Sequence, residues 1–239
     1  MIFLFLLVEG VGVQWKMAIK YKCLILDHDD TAVDSTRTIH FPAHLESMKA
    51  LRPQEPEMTL DDWLLKNFSP GVMTYLRDEL GLNERELEEE YKTWRRFNET
   101  LTPEFFNGFR ELLLEFRSEG GIVTVVSHSE ADIIERHYRT NGLPEPLMPD
   151  LIFGWDIDPD KRKPRPYPVE QILKTFKLAP SQALIVDDLR PGVLMGQTTG
   201  VDVAAAGWSH QIPEIREFME RHCVAYLESI DALAQLVFG

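Results

Sequence analysis

Cysteine is nearly absent. The 239-residue chain has two, Cys23 and Cys223, each in an apolar run. Two residues build neither a disulfide framework nor a zinc pattern, and a reducing, cytoplasmic setting is expected. Positive charge is also scarce. Against 39 Asp and Glu stand 25 Lys and Arg, for a formal charge of −14. Such a chain repels nucleic acid and anionic lipid, so no nucleic acid and no membrane is expected as partner. An anionic ligand needs locally focused positive charge. Long hydrophobic runs are missing too. The N-terminal MIFLFLLV falls far short of the roughly 20 residues of a membrane-spanning helix, and no basic segment precedes it as in a secretory signal. Internal repeats and low-complexity tracts are absent. With 44% hydrophobic and 27% charged residues, the balance is that of a globular chain able to bury a substantial core.

A second methionine, Met17, opens MAIKYKCLILDHDD just before an apolar run. Residues 1–16 are therefore expected to be an extension outside the core, with an extra edge strand as the alternative. The GVGVQW that follows Glu9 places Trp15 where a dinucleotide fingerprint needs its third glycine, which argues against that fingerprint.

Short apolar runs recur along the chain: KCLILD at 22–27, IVTVVS at 122–127, LIFG at 151–154, ALIVD at 183–187, VDVAAA at 201–206 and CVAYL at 223–227. Such runs suit strands buried on both faces of a parallel sheet. Helical spacing lies between them. Phe105, Phe109, Leu112 and Phe116 form one apolar face, and Val169, Ile172, Leu173 and Phe176 another. Alternation of this kind predicts an α/β fold with a doubly wound parallel sheet, built from residues 17–35 and 102–239. Residues 36–101 hold no convincing strand. They read as helices, the last with Leu87, Tyr91 and Trp94 as a buried stripe and Glu86, Glu88, Glu89 and Glu90 as a solvated face. An all-helical block inserted after the first strand is expected to be a cap over the strand ends.

Ligands of open parallel sheets bind at the carboxyl ends of the strands. The first strand ends in Asp27-His28-Asp29-Asp30-Thr31, the second in Ser127-His128-Ser129, and the strand at 183 in Asp187-Asp188; Lys163 precedes a helix. Carboxylates crowd together in ionised form only around a cation, and all-oxygen ligation suits a hard one such as Mg²⁺. A lysine and a hydroxyl beside it suit phosphoryl oxygens. His40 and His44 lie four apart, but Pro42 falls between them and no third ligand is evident, so zinc is not expected. His28 and His128 are expected to support the site, and Trp208 to pack near the end of the domain.

In this order, ILDHDDTAVDS, VTVVSHS, KRKPRPYP and ALIVDDLRPGVLMGQTTGV resemble the four motifs of the haloacid dehalogenase-like superfamily. The resemblance covers roughly residues 20–239 and is nearest to phosphoglycolate phosphatase-like members with a helical cap. It implies a Rossmann-like core and Mg²⁺-dependent hydrolysis of a small phosphorylated metabolite. By the same resemblance, Asp27 matches the nucleophile that forms an aspartyl-phosphate, and Asp29 the general acid and base. Ser127 and Lys163 match the phosphate-binding pair. Asp187 and Asp188, with Asp27 and the backbone carbonyl of Asp29, match the Mg²⁺ ligands. Asp30 departs from the family pattern, which has glycine there; aspartate is among the few residues that tolerate positive φ. A sugar-phosphate mutase of the same fold, or a non-catalytic phosphate-binding relative, are the alternative readings. A dehalogenase would need neither the metal nor Asp29. Composition and motifs leave the oligomeric state open.

Overall fold

The computed structural model describes residues 19–239, so the expectation for residues 1–16 lies outside the described residues. All six apolar runs are strands: β1 (Cys23–Leu26), β2 (Ile122–Val126), β3 (Leu151–Phe153), β4 (Ala183–Asp187), β5 (Asp202–Ala206) and β6 (Ala225–Leu227). They form one parallel sheet in the order β3-β2-β1-β4-β5-β6. Side chains alternate along each strand, so each run feeds two cores. Leu24, Leu26, Val123, Val125, Leu184 and Val186 face one side. There they meet α5 (Phe109–Ser118), α6 (Ala131–Thr140) and α10 (Ile230–Phe238) through residues such as Phe116, Tyr138 and Val237. Cys23, Ile25, Ala183, Ile185 and Val203 face the other side, against α7 (Tyr167–Phe176), α8 (Arg190–Thr199) and α9 (Pro213–His222). A strand covered on both faces needs no polar alternation, which is why these runs read as continuously apolar.

The helical reading of residues 36–101 holds. A turn at Thr36–His40 leads into α1 (Phe41–Leu51), followed by α2 (Leu60–Phe68), the short α3 (Val72–Thr74) and α4 (Glu84–Thr100). Two capping boxes set helix starts. Thr59 and Asp62 close the first turn of α2, and Asn83 and Glu86 that of α4. These helices share a small core of Trp63, Tyr75, Leu76, Leu82 and Leu87. Arg95 of α4 pairs with Glu130 and with Asp132 (2.5 Å), which ties this segment to the start of α6.

One helical start differs from expectation. Phe105 precedes α5 and instead forms an antiparallel bridge with Val33. Gly108, at φ 84°, turns the chain into the helix, and Phe105 packs on the core from outside it.

His44 is a buried polar residue of the helical segment. It stacks on Trp63 at 4.0 Å, and neither ring nitrogen has a hydrogen-bond partner among the described residues. Burial lowers its pKa from 6.5 to about 4. Between these values the unfolded chain binds more protons than the folded one. The neutral ring's contribution is therefore intact above its ordinary pKa and is lost as pH falls toward 4, at up to about 1.4 kcal/mol per pH unit. In urea titrations at about pH 7 and about pH 4.5, His44→Phe is expected to lose less stability than the wild type. Equal losses would place the acid sensitivity elsewhere.

Candidate active site

β1 lies between β2 and β4, where the order of strands reverses, and the crevice at such a point opens at the strands' carboxyl ends. Asp27 follows β1 directly and is fixed there by donating its backbone N–H to the Val186 carbonyl (2.8 Å). Asp187 and Asp188 end the neighbouring strand. Carboxylate oxygens of Asp27, Asp187 and Asp188 all lie within 4.8 Å of one another, and all three residues are buried. Lys163 is 4% exposed and reaches in from the loop before α7. Its Nζ donates to Asp187 Oδ2 (3.0 Å) and makes an ion contact with Asp27 Oδ1 at 2.7 Å.

One cation among three buried carboxyl groups leaves negative charge uncompensated. Burial pushes the Asp27 carboxyl well above its ordinary pKa; the neighbouring carboxylates add to this and Lys163 opposes it. Asp188 is pushed well up as well, by burial and then by Asp30 and Asp187. Burial would lower the Lys163 pKa, but Asp187 and Asp27 more than offset it and keep the ammonium charged. Asp187 is fully engaged, since its Oδ1 also accepts the Leu189 N–H (3.0 Å). Gly192 lets α8 come this close: a Cβ there would stand 2.3 Å from the Asp187 Cβ. Among the described residues, the Asp188 carboxyl pairs only with the His210 ring, at 3.4 Å, and burial lowers the pKa of that histidine. An all-oxygen, charge-deficient cluster of this kind fits a hard divalent cation, with Asp27 and Asp188 the freer donors.

The Asp29 side chain points elsewhere. Its Oδ1 accepts from Ser35 Oγ (2.7 Å) and His40 Nε2 (2.8 Å), and its Oδ2 from Ser129 Oγ (2.5 Å). The Trp94 indole N–H donates to His40 Nδ1 (2.9 Å), so Nδ1 carries the lone pair and Nε2 the proton. Burial would raise the Asp29 pKa, but His40 and these hydrogen bonds outweigh it and hold the carboxyl well below its ordinary range. Ser127 Oγ stands 3.5 Å from Asp29 Oδ2 and accepts the Ser129 N–H (3.1 Å). The stronger partner is thus Ser129, two residues past the serine singled out from sequence. The sequence pattern offered His40 only as a weighed zinc ligand, Trp94 only as part of a buried stripe and Ser129 only as a neighbour of Ser127. No local motif marks them, because α4 and the loop after β2 bring them to Asp29 through tertiary packing.

Asp30 adopts φ 57°, the conformation expected of the glycine it replaces. Its Oδ1 accepts the Thr36 N–H (3.0 Å), which offsets the strain of the turn. The supporting histidines are placed as expected. His128 Nε2 lies 2.8 Å from the Lys163 carbonyl and steadies that loop, while His28 Nε2 meets His137 Nδ1 at 2.9 Å beneath the site. Trp208 donates its indole N–H to the Thr31 carbonyl (3.1 Å), which ties the motif loop to the segment after β5.

Above the cluster lies a cavity of about 630 Å³ between the sheet's edge and the helical segment. Two expectations for α4 change here. Glu90 is not on a solvated face: it lines the cavity, and burial raises its pKa to about 7. Tyr91 is half-exposed rather than buried, and its hydroxyl donates to Glu130 Oε1 (2.8 Å). Glu90 falls between Leu87 and Tyr91–Trp94 on the same face of the helix, and that face lines the crevice.

Comparison with known proteins agrees with this architecture. Among solved structures, a candidate phosphoglycolate phosphatase from Lactobacillus plantarum superposes with a TM-score of 0.73 at 19% identity, over 91% of this chain and 99% of that one. CbbY from Rhodobacter sphaeroides, solved with xylulose-1,5-bisphosphate, gives 0.66 at 17% identity, over 87% and 94%. PpaX of Clostridium perfringens, a candidate pyrophosphatase, is 25% identical over 187 residues, 75% of this chain and 80% of that protein. The sequence model of the haloacid dehalogenase-like hydrolases matches residues 24–206, a span that runs from β1 through β5 and takes in every residue of the carboxylate cluster. With most of its length inside that match, the chain belongs to the haloacid dehalogenase-like hydrolase family.

Proposed function

We propose that the chain is a Mg²⁺-dependent phosphatase that hydrolyses a phosphate monoester through an aspartyl-phosphate on Asp27. The observation that carries this reading is the buried trio of Asp27, Asp187 and Asp188 around a single lysine. Asp27, Asp187 and Asp188, with the Asp29 carbonyl, would hold the cation, which when bound supplies the positive charge that brings two anions, carboxylate and phosphate, together. Lys163 adds its own charge on the phosphoryl oxygens, and the Ser127 hydroxyl a hydrogen bond.

In the first half-reaction an Asp27 oxygen attacks phosphorus, and the bond from phosphorus to the leaving oxygen breaks. The Asp29 carboxyl gives its proton to that oxygen. His40 and Ser129 hold Asp29 ionised in the resting site, and an anionic ester arriving beside it raises its pKa toward the protonated state the step needs. In the second half-reaction, water attacks the aspartyl-phosphate while the Asp29 carboxylate takes its proton. Phosphate leaves and the Asp27 carboxylate returns. Residues 36–101 act as a cap domain over a core of 17–35 and 102–239, and exclude bulk water during transfer.

The test is direct. With a chromogenic phosphate ester, activity is expected to vanish in chelator and return with Mg²⁺. Full activity in chelator would overturn the reading.

A further inference from the structure

The cavity above the carboxylate cluster says something about what the phosphate is attached to. At about 630 Å³ it falls among sites for drug-sized ligands, roughly 300–1,000 Å³, well beyond the needs of a two-carbon ester. Its walls are largely apolar. Phe68, Met73, Leu87 and Trp94 line it from the helical segment, and Trp155 and Leu194 from the core.

Several polar groups on those walls are already committed. Asn67 donates its amide to the Trp63 carbonyl (2.8 Å). The Trp94 N–H is spent on His40, and the Tyr91 hydroxyl on Glu130. Arg162 lies over the Trp155 ring at 3.6 Å and donates to the Asp156 carbonyl (2.7 Å). A sugar placed here would lose water from its hydroxyls and find few partners, a costly exchange. Glu90 is the inward carboxyl with no ion-pair or hydrogen-bond partner among the described residues, so a second acid on the substrate would face like charge. Arg190 also lines the cavity, but it is exposed, at the mouth. The high pKa of Glu90, set by burial, is a further sign that this wall is dry.

We infer that the group esterified to phosphate is an aromatic alcohol, uncharged or cationic, rather than a sugar or a second acid. This rests on the phosphatase reading above. Flat rings suit a chamber walled by Trp94, Trp155 and Phe68, and the ester oxygen then points to the Asp27 end.

The experiment compares kcat/KM, with Mg²⁺ present, for 2-phenylethyl phosphate, ethyl phosphate and 2-phosphoglycolate. The first two release similar alcohols, so a difference reports the cavity and not the chemistry. Burying the ring should favour 2-phenylethyl phosphate by about 10- to 100-fold over both others. Met73→Trp, which fills the chamber, should shrink that ratio. Equilibrium binding of the same esters to the Asp27→Asn protein gives a second readout, with the same order of affinities expected. If ethyl phosphate or phosphoglycolate is turned over as well as the aromatic ester, the inference is wrong while the phosphatase reading stands. If none is hydrolysed, the phosphatase reading fails. Binding that shows no aromatic preference sinks the inference by itself.

Discussion

Asp27→Asn is expected to abolish turnover and leave the fold intact. The amide keeps the size of the carboxyl group and the backbone bond to Val186, and Lys163 keeps Asp187 as its partner. Burial already penalises the Asp27 charge, so its loss costs the folded state little. What disappears is the nucleophile. The fall in kcat should be on the order of 10⁴-fold or more, as when a covalent nucleophile is removed from other enzymes. Acid-quenched wild-type protein should carry an acyl-phosphate, and the variant none. Near-normal turnover with an unchanged melting temperature would rule out the covalent route through this residue.

Lys163→Ala should harm stability as well as rate. The side chain is buried and lies against both Asp27 and Asp187. Removing one member of a buried ion cluster strands its partners, at a cost of about 3–5 kcal/mol. Turnover should fall by about 10²–10³ for every ester tested, because the lost charge stabilises the phosphoryl group itself. Mg²⁺ should recover part of the lost stability, since it would repay the same carboxylates. The measurements are denaturant midpoints with and without Mg²⁺, beside kcat for several esters. A variant of wild-type stability that changed only its substrate preference would contradict this account.

The fold was legible because both faces of the sheet are covered. Runs such as Cys23–Leu26 and Ala183–Asp187 carry no polar alternation, and that continuity marks them. The charged residues of the site were legible for a similar reason: each stands at the end of a strand or beside a stiff proline loop. Ser129, His40 and Trp94 were not. They reach Asp29 from three separate segments, and nothing in the local sequence of any one of them states the meeting. Glu90 was misread because a run of glutamates hides which of its members falls within the stripe of Leu87, Tyr91 and Trp94 and turns in with it.

The helical segment joins the core through two chain crossings, and these are fastened to each other. Val33 bridges Phe105, Asp34 donates its N–H to the Glu104 carbonyl (3.0 Å), and Phe106 donates to the Ala32 carbonyl (3.1 Å). Both crossings therefore share one pivot, set three to five residues beyond Asp29. Any swing of the helices turns about this short ladder and carries His40 and Trp94 with it, while Asp29 and Ser129 stay with the sheet. On the phosphatase reading, opening the crevice and unclamping Asp29 would be a single mechanical event, and product would leave past a carboxylate freed of its histidine.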